Sequence, residues 1–307
     1  MADQRSSSSS PDALTLGEKK SDGTGIDRNF DDLKDLFKER IYGTLKGNYR
    51  FDMTLDDIEQ EVQTCRKNSD SDSNLVALDV GGGLGQVTLS LGRNPLFDRI
   101  FYYDISTEMK CHVENKILEM KIDRQELNTG EELHFADIVT KVGGLREAIA
   151  DFEQDQGVLA ETSNGEGCYP DLVCLHAVLE WLSNPFEDLA TLLKFMKHGS
   201  ILSLLYYNRI APPSRPSTAK PRKKPRKPSK LTPYHEFDHT KIEEILIDHG
   251  FEVRQRTGLR VRKFKRDGSE EELNKYLEEE KQIARVEPYC RQGRYNHVVA
   301  LKVRHSS

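Results

Sequence analysis

Four glycines fall within five residues, at Gly81, Gly82, Gly83 and Gly85. Ahead of them the run Leu75 to Val80 is apolar but for Asp79 and reads as a buried strand; behind them Val87 to Gly92 reads as the first turns of a helix. Strand, glycine turn and helix together bring backbone N–H groups and a helix N-terminus against a bound nucleotide. The dinucleotide fingerprint needs a third glycine or alanine where Gln86 stands, at the point of close helix–strand packing, so a dinucleotide does not fit. What remains is an acid followed by alternating glycines, Asp79-x-Gly81-x-Gly83-x-Gly85, whose glycines let the backbone pass under a ligand without Cβ clashes. A ligand-free turn is the competing reading, and the density of glycine counts against it.

Around this turn the chain alternates. Strands are predicted at Leu75–Val80, Arg99–Tyr103, Glu132–Ala136, Asp171–Leu175 and Ser200–Tyr206, with helices at about 108–120, 145–152 and 189–197 between them. Such alternation predicts a parallel, doubly wound α/β sheet. Helical spacing also marks Tyr49 to Cys65, Lys241 to His249 and Glu270 to Ile283. Extended pieces are expected at Glu252–Arg256 and Arg260–Phe264, with Gly258 as a bulge between them, and Tyr295–Val303 as a closing antiparallel strand. Residues 1–25 read as a disordered Ser-rich tail, and 26–307 as a single domain with an acidic, Gly-rich insertion at about 153–169.

The chain carries a formal net charge of −6, yet Lys220 to Lys230 is a dense basic run inside a Pro-rich loop at about 209–235. A phosphate-binding arm, a nuclear address and a solvated loop all suit it. The five cysteines are widely spaced with no C-x-x-C, which points to a reducing compartment and to neither a zinc site nor a disulfide framework. No run approaches the roughly 20 apolar residues that span a membrane. A cytoplasmic location is expected, with a nuclear one as the alternative.

In an open α/β sheet the ligand crevice lies outside the carboxyl ends of the strands. Asp104 ends the second strand, about 20 residues beyond the glycine turn, where an acid accepts ribose hydroxyls; capping the next helix is its other reading. Asp137 ends the predicted third strand, beside Ala136, as an adenine contact or a helix cap. His176 ends the fourth, as a cofactor contact, a packing residue or a base. Tyr207 and Asn208 end the fifth, in the same crevice.

These residues belong to an ordered series. Asp27-Arg28-Asn29-Phe30-Asp31-Asp32 and Ile41-Tyr42-Gly43-Thr44-x-Lys46-Gly47-x-x-Arg50 come first, then the glycine turn. His176-Ala177-Val178-Leu179-Glu180-Trp181, the pair Tyr207-Asn208, Gly258-Leu259-Arg260-Val261 and Gly293-Arg294-Tyr295-x-His297-Val298 complete it. The acid–glycine pattern resembles the first motif of class I S-adenosylmethionine methyltransferases, and the whole series resembles the tRNA 5-carboxymethoxyuridine methyltransferase family. The resemblance implies a Rossmann-like doubly wound sheet, mostly parallel with an antiparallel C-terminal strand. It implies S-adenosyl-L-methionine as cofactor, held at its amino-acid end by Arg50, along its length by Asp79, Gly81, Gly82, Gly83 and Gly85, at the ribose by Asp104, and with Ala136, Asp137 and His176 closing the pocket. It implies methylation of a wobble-nucleoside carboxylate. Since a carboxylate is ionised at pH 7, that transfer needs no catalytic base and no metal, only orientation. Tyr42, Tyr207, Asn208, Arg260 and Tyr295 are the expected orienting residues, and the basic run would grip the tRNA anticodon stem-loop. A small-molecule carboxylate O-methyltransferase and a non-catalytic RNA-binding protein of the same fold are the alternatives.

Overall fold

The computed structural model describes residues 27–39, 44–67, 74–127, 134–159, 169–209, 232–262 and 269–303. Among the described residues seven strands form one sheet in the order β3-β2-β1-β4-β5-β7-β6. They are β1 Leu75–Val80, β2 Phe97–Asp104, β3 Asp137–Val142, β4 Leu172–His176, β5 Ile201–Tyr207, β6 Phe251–Leu259 and β7 Tyr295–Lys302. The helices are α1 Lys34–Phe37, α2 Leu45–Lys67, α3 Gln86–Gly92, α4 Thr107–Leu127, α5 Leu145–Leu159, α6 Pro185–Phe195, α7 His239–Asp248 and α8 Glu270–Ile283. β1 to β5 are mutually parallel, and β7 is antiparallel to both β5 and β6.

The central strands are apolar on both faces because both faces are covered. Leu78, Val80, Val173 and Leu204 pack with Leu145, Ile149, Phe152, Leu189 and Leu192 of α5 and α6. Opposite, Ala77, Ile100, Leu172 and Ile201 pack with Ile58 and Val62 of α2 and Leu91 of α3. Local signals set the helix starts. Pro185 opens α6, the Asp238 side chain accepts from Thr240 N–H at the head of α7, and Ser269 with Glu272 forms a capping box on α8.

Two predicted elements are corrected. The third strand is not Glu132–Ala136 but Asp137–Val142, whose Ile138, Val139 and Thr140 pair with Ile100, Phe101 and Tyr102. The β-branched run has the stronger strand propensity and sits at the sheet edge, where partial exposure blurs its apolar signal. Residues 260–262 are not a further strand: β6 runs unbroken through Gly258, and its irregularity lies between Val253 and Gln255. Helix α5 extends to Leu159, into the stretch expected to be an insertion. The Ser-rich tail, the core of the acidic insertion, Tyr42 and the basic run Lys220 to Lys230 lie outside the described residues.

Strand order reverses between β1 and β4, since β2 and β3 lie to one side of β1 and β4 and β5 to the other. That reversal opens a crevice at the carboxyl ends of the strands.

Candidate functional site

The glycine turn lines this crevice. Gly81 and Gly85 have φ of +68° and +76°, in the left-handed region that glycine adopts without strain. A Cβ on Gly81 would stand 2.4 Å from Val178 Cγ2, so the turn and the loop after β4 approach too closely for any side chain. Asp79 is buried and accepts from Thr88 Oγ1 at 2.6 Å, tying the strand to α3. Burial pushes its carboxyl up to about 6.

Asp104 makes the contact of its helix-cap reading and also lines the cavity. One carboxyl oxygen accepts from Gly83 N–H at 2.9 Å and the other from Ser106 N–H at 2.8 Å. It therefore fixes the glycine turn and the start of α4 while its edge lines the cavity. Burial raises its pKa, against the two backbone donors. Ala136 and Asp137 are a correction. They precede or begin β3, at the opposite end of the strands from the crevice, and Asp137 pairs with Arg99 at 3.2 Å on the surface. With β3 re-placed, its carboxyl end delivers Gly143, Gly144 and Leu145 to the cavity wall instead.

Arg50 reaches the site from α2 and lines both adjoining cavities, as does His176 from the end of β4. The Arg50 guanidinium lies 5.0 Å from the Tyr295 ring centroid. The Tyr295 and Tyr207 rings meet tilted at 58°, 4.4 Å between centroids, and their hydroxyls share a hydrogen bond at 2.8 Å. Arg294 stands 5.6 Å from the Tyr207 ring. Burial opposes ionisation of Tyr295, but Arg50, Arg260, the Tyr207 bond and Arg294 outweigh it and lower its pKa. Burial raises that of Tyr207, reinforced by Tyr295.

Arg260 itself is not among the cavity-lining residues. It sits at φ +61°, in a conformation costly for a non-glycine residue, and acts on Tyr295 through its charge. Asn208 does not face the cavity either. It is buried, and its amide donates to the carbonyls of Arg291 and Gly293 at 2.8 Å each, pinning the turn that delivers Tyr295.

Three features lie within the ordered motifs without an expected role in the site. Glu180 is fully buried, lines the cavity, and has no hydrogen-bond partner for either carboxyl oxygen among the described residues. Burial pushes its pKa up to about 8, so it is largely the neutral acid at pH 7. An acid inside the apolar stretch Val178-Leu179-Glu180-Trp181 is the signal that marked it. Trp181 lines the same wall and meets Phe30 edge-on at 4.9 Å. Residues 27–30 strap the crevice: Asp27 accepts from Ser183 N–H at 2.8 Å and Asn29 donates to Ile105 O at 3.1 Å, bridging the loops after β4 and β2.

Residues 51–256 match the family described as methyltransferase domain. The tRNA 5-carboxymethoxyuridine methyltransferases of Escherichia coli O157:H7 and Escherichia coli strain K12 are each 29% identical to this chain over 288 residues, spanning 90% of it and 97% of their own length. Magnesium protoporphyrin IX methyltransferase from Synechocystis PCC 6803, solved with bound SAH, superposes with a TM-score of 0.52 at 12% identity, over 89% of this chain and 95% of that one. At that identity the likeness speaks for the fold, the mostly parallel sheet of the class I methyltransferases.

Proposed function

We propose that this chain, which belongs to the methyltransferase domain family, methylates the carboxylate of a 5-carboxymethoxyuridine-type nucleoside at the wobble position of tRNA. Its cofactor is S-adenosyl-L-methionine, which supplies an electrophilic methyl group on sulfonium. The residues present fit that group. Gln86 carries a buried Oε1 with no partner among the described residues, in the cavity that Arg50 and His176 share, an acceptor suited to an ammonium. Arg50 would hold the carboxylate of the amino-acid end, Asp104 the ribose hydroxyls, and Ile105, Met109 and Leu145 the faces of the adenine.

The observation that carries the acceptor reading is the cationic wall on the other side of the cavity. Tyr207 and Tyr295 present a hydroxyl pair in the field of Arg50, Arg260 and Arg294. That arrangement attracts an anion and orients it through hydroxyl donors without a full ion pair. A carboxylate nucleophile is already ionised, so the chain need only align it and exclude water. A neutral Glu180 offers an O–H donor where an ionised one would repel the acceptor. The relatives named as tRNA 5-carboxymethoxyuridine methyltransferases support RNA as the carrier of that carboxylate. Among the described residues no helix is long and apolar enough to cross a membrane.

The test is reconstitution. Purified protein, S-adenosyl-L-methionine and tRNA bearing the free acid should yield the wobble methyl ester, read by nucleoside mass spectrometry. Methylation of the free nucleoside at an equal rate would favour a small-molecule enzyme. Cofactor binding without any turnover would favour the non-catalytic reading.

A further inference from the structure

His176 is the last member of a buried hydrogen-bonded chain that crosses the sheet. Asp57 on α2 accepts, at Oδ2, from His297 Nδ1 at 2.8 Å and from Thr257 Oγ1 at 2.6 Å. Its Oδ1 accepts from Arg285 Nε at 2.7 Å. His297 Nε2, on β7, lies 2.8 Å from Ser203 Oγ on β5, which lies 2.8 Å from His176 Nε2 on β4. Asp57, Thr257, His297 and Ser203 are all 0–1% exposed.

Asp57, His297 and Ser203 have the connectivity of a hydrolytic triad. Nucleophilic use is closed to them. Ser203 has no access to the cavity, and its second partner is the His176 ring rather than a substrate. Nor does methyl transfer to a carboxylate release a proton that such a chain would carry. What a buried chain of donors and acceptors does fix is direction.

That direction can be followed atom by atom. Arg285 already matches the one negative charge of Asp57, so the chain is followed with a single ring proton on His297, at Nδ1, facing the carboxylate. His297 Nε2 is then a lone pair, and the Ser203 hydroxyl donates to it. The Ser203 oxygen in turn accepts from His176, which therefore carries its proton on Nε2. His176 Nδ1 is left as a lone pair on a ring that lines both cavities, and the ring makes no other hydrogen bond among the described residues.

We infer that Asp57, His297 and Ser203 are positioning residues that lock His176 in the Nε2–H tautomer, so that it presents an acceptor to the cation-bearing end of S-adenosyl-L-methionine. The inference rests on the cofactor reading of this cavity. It places a determinant of cofactor affinity on α2, outside the glycine turn.

Asp57→Asn tests it. An asparagine must keep its oxygen toward Arg285, because two donors would otherwise face each other; its NH2 then points at His297 Nδ1 and Thr257. Every bond in the chain reverses, and His176 becomes an Nδ1–H donor. Ring-nitrogen NMR of the full chain without nucleotide should show Nε2–H for His176 in the wild type and Nδ1–H in D57N. The dissociation constant for S-adenosylhomocysteine, by calorimetry, should rise about tenfold. A wild-type ring protonated on Nδ1, or the same tautomer in both proteins, would overturn the inference. Should D57N not fold, Ser203→Ala breaks the chain without altering charge and should give a mixed His176 tautomer; an unchanged one overturns the inference equally. Wild-type protein that fails to bind S-adenosylhomocysteine would sink the cofactor reading, and the tautomer readout, taken without nucleotide, then decides the chain alone.

Discussion

Glu180 is the residue whose chemistry differs most from its type. Its carboxyl is buried beside the Tyr207–Tyr295 pair, with no hydrogen-bond partner for either oxygen among the described residues. Its folded pKa, raised from 4.5 to about 8 by burial, lies above the unfolded value. The native state thus holds a proton that the unfolded chain gives up, and stability falls as pH rises between those values. Glu180→Gln removes that dependence. Urea unfolding at pH 5 and pH 8 should show the wild type losing stability relative to E180Q by on the order of 1.4 kcal/mol per pH unit at most. Parallel pH profiles for the two proteins would show that the acid is ionised throughout.

At the scale of elements, the segment 27–30 stands out because it belongs to no regular structure yet closes the crevice. Its anchors run to two different loops, through Ser183 N–H and Ile105 O, and Phe30 adds an edge-on contact with Trp181. The strap is peripheral to the two hydrophobic layers, so loosening it leaves the fold intact. Phe30→Ala should speed release of S-adenosylhomocysteine about tenfold in stopped-flow experiments, with an unchanged melting transition. Equal release rates would mean that the strap does not retain the cofactor. The turn before β7 works differently: Asn208 and Arg260 deliver and charge the Tyr295 wall without facing the cavity themselves.

Across the whole molecule, the proposed RNA grip sets a basic segment against a net charge of −6. Deleting residues 218–230 should weaken tRNA methylation and flatten its salt dependence, because fewer counterions are released on binding. Methylation with the same salt slope in the deletion variant would assign the basic run to another task. Turnover of an isolated nucleoside, if measurable, should be insensitive to the deletion.

Much of this protein was legible in one dimension. β1, α8 and the glycine turn follow from local patterns: an apolar run, helical spacing, and glycines at φ that other residues resist. The ordered motifs carried the family, and with it the cofactor. The place of edge strand β3, and of Ala136 and Asp137 with it, is not legible in sequence, because a half-exposed strand carries a weak apolar period and its register is set by β2. In sequence Asn208 reads as a substrate contact because its position at a strand end is visible there, whereas the carbonyls it holds are not. Only the tertiary structure put Asp57, Ser203 and His297 in line behind His176, since residues up to 240 positions apart leave no periodic trace of their contact. Only burial, which is a property of the packed whole, turned Glu180 from a charge into a neutral acid.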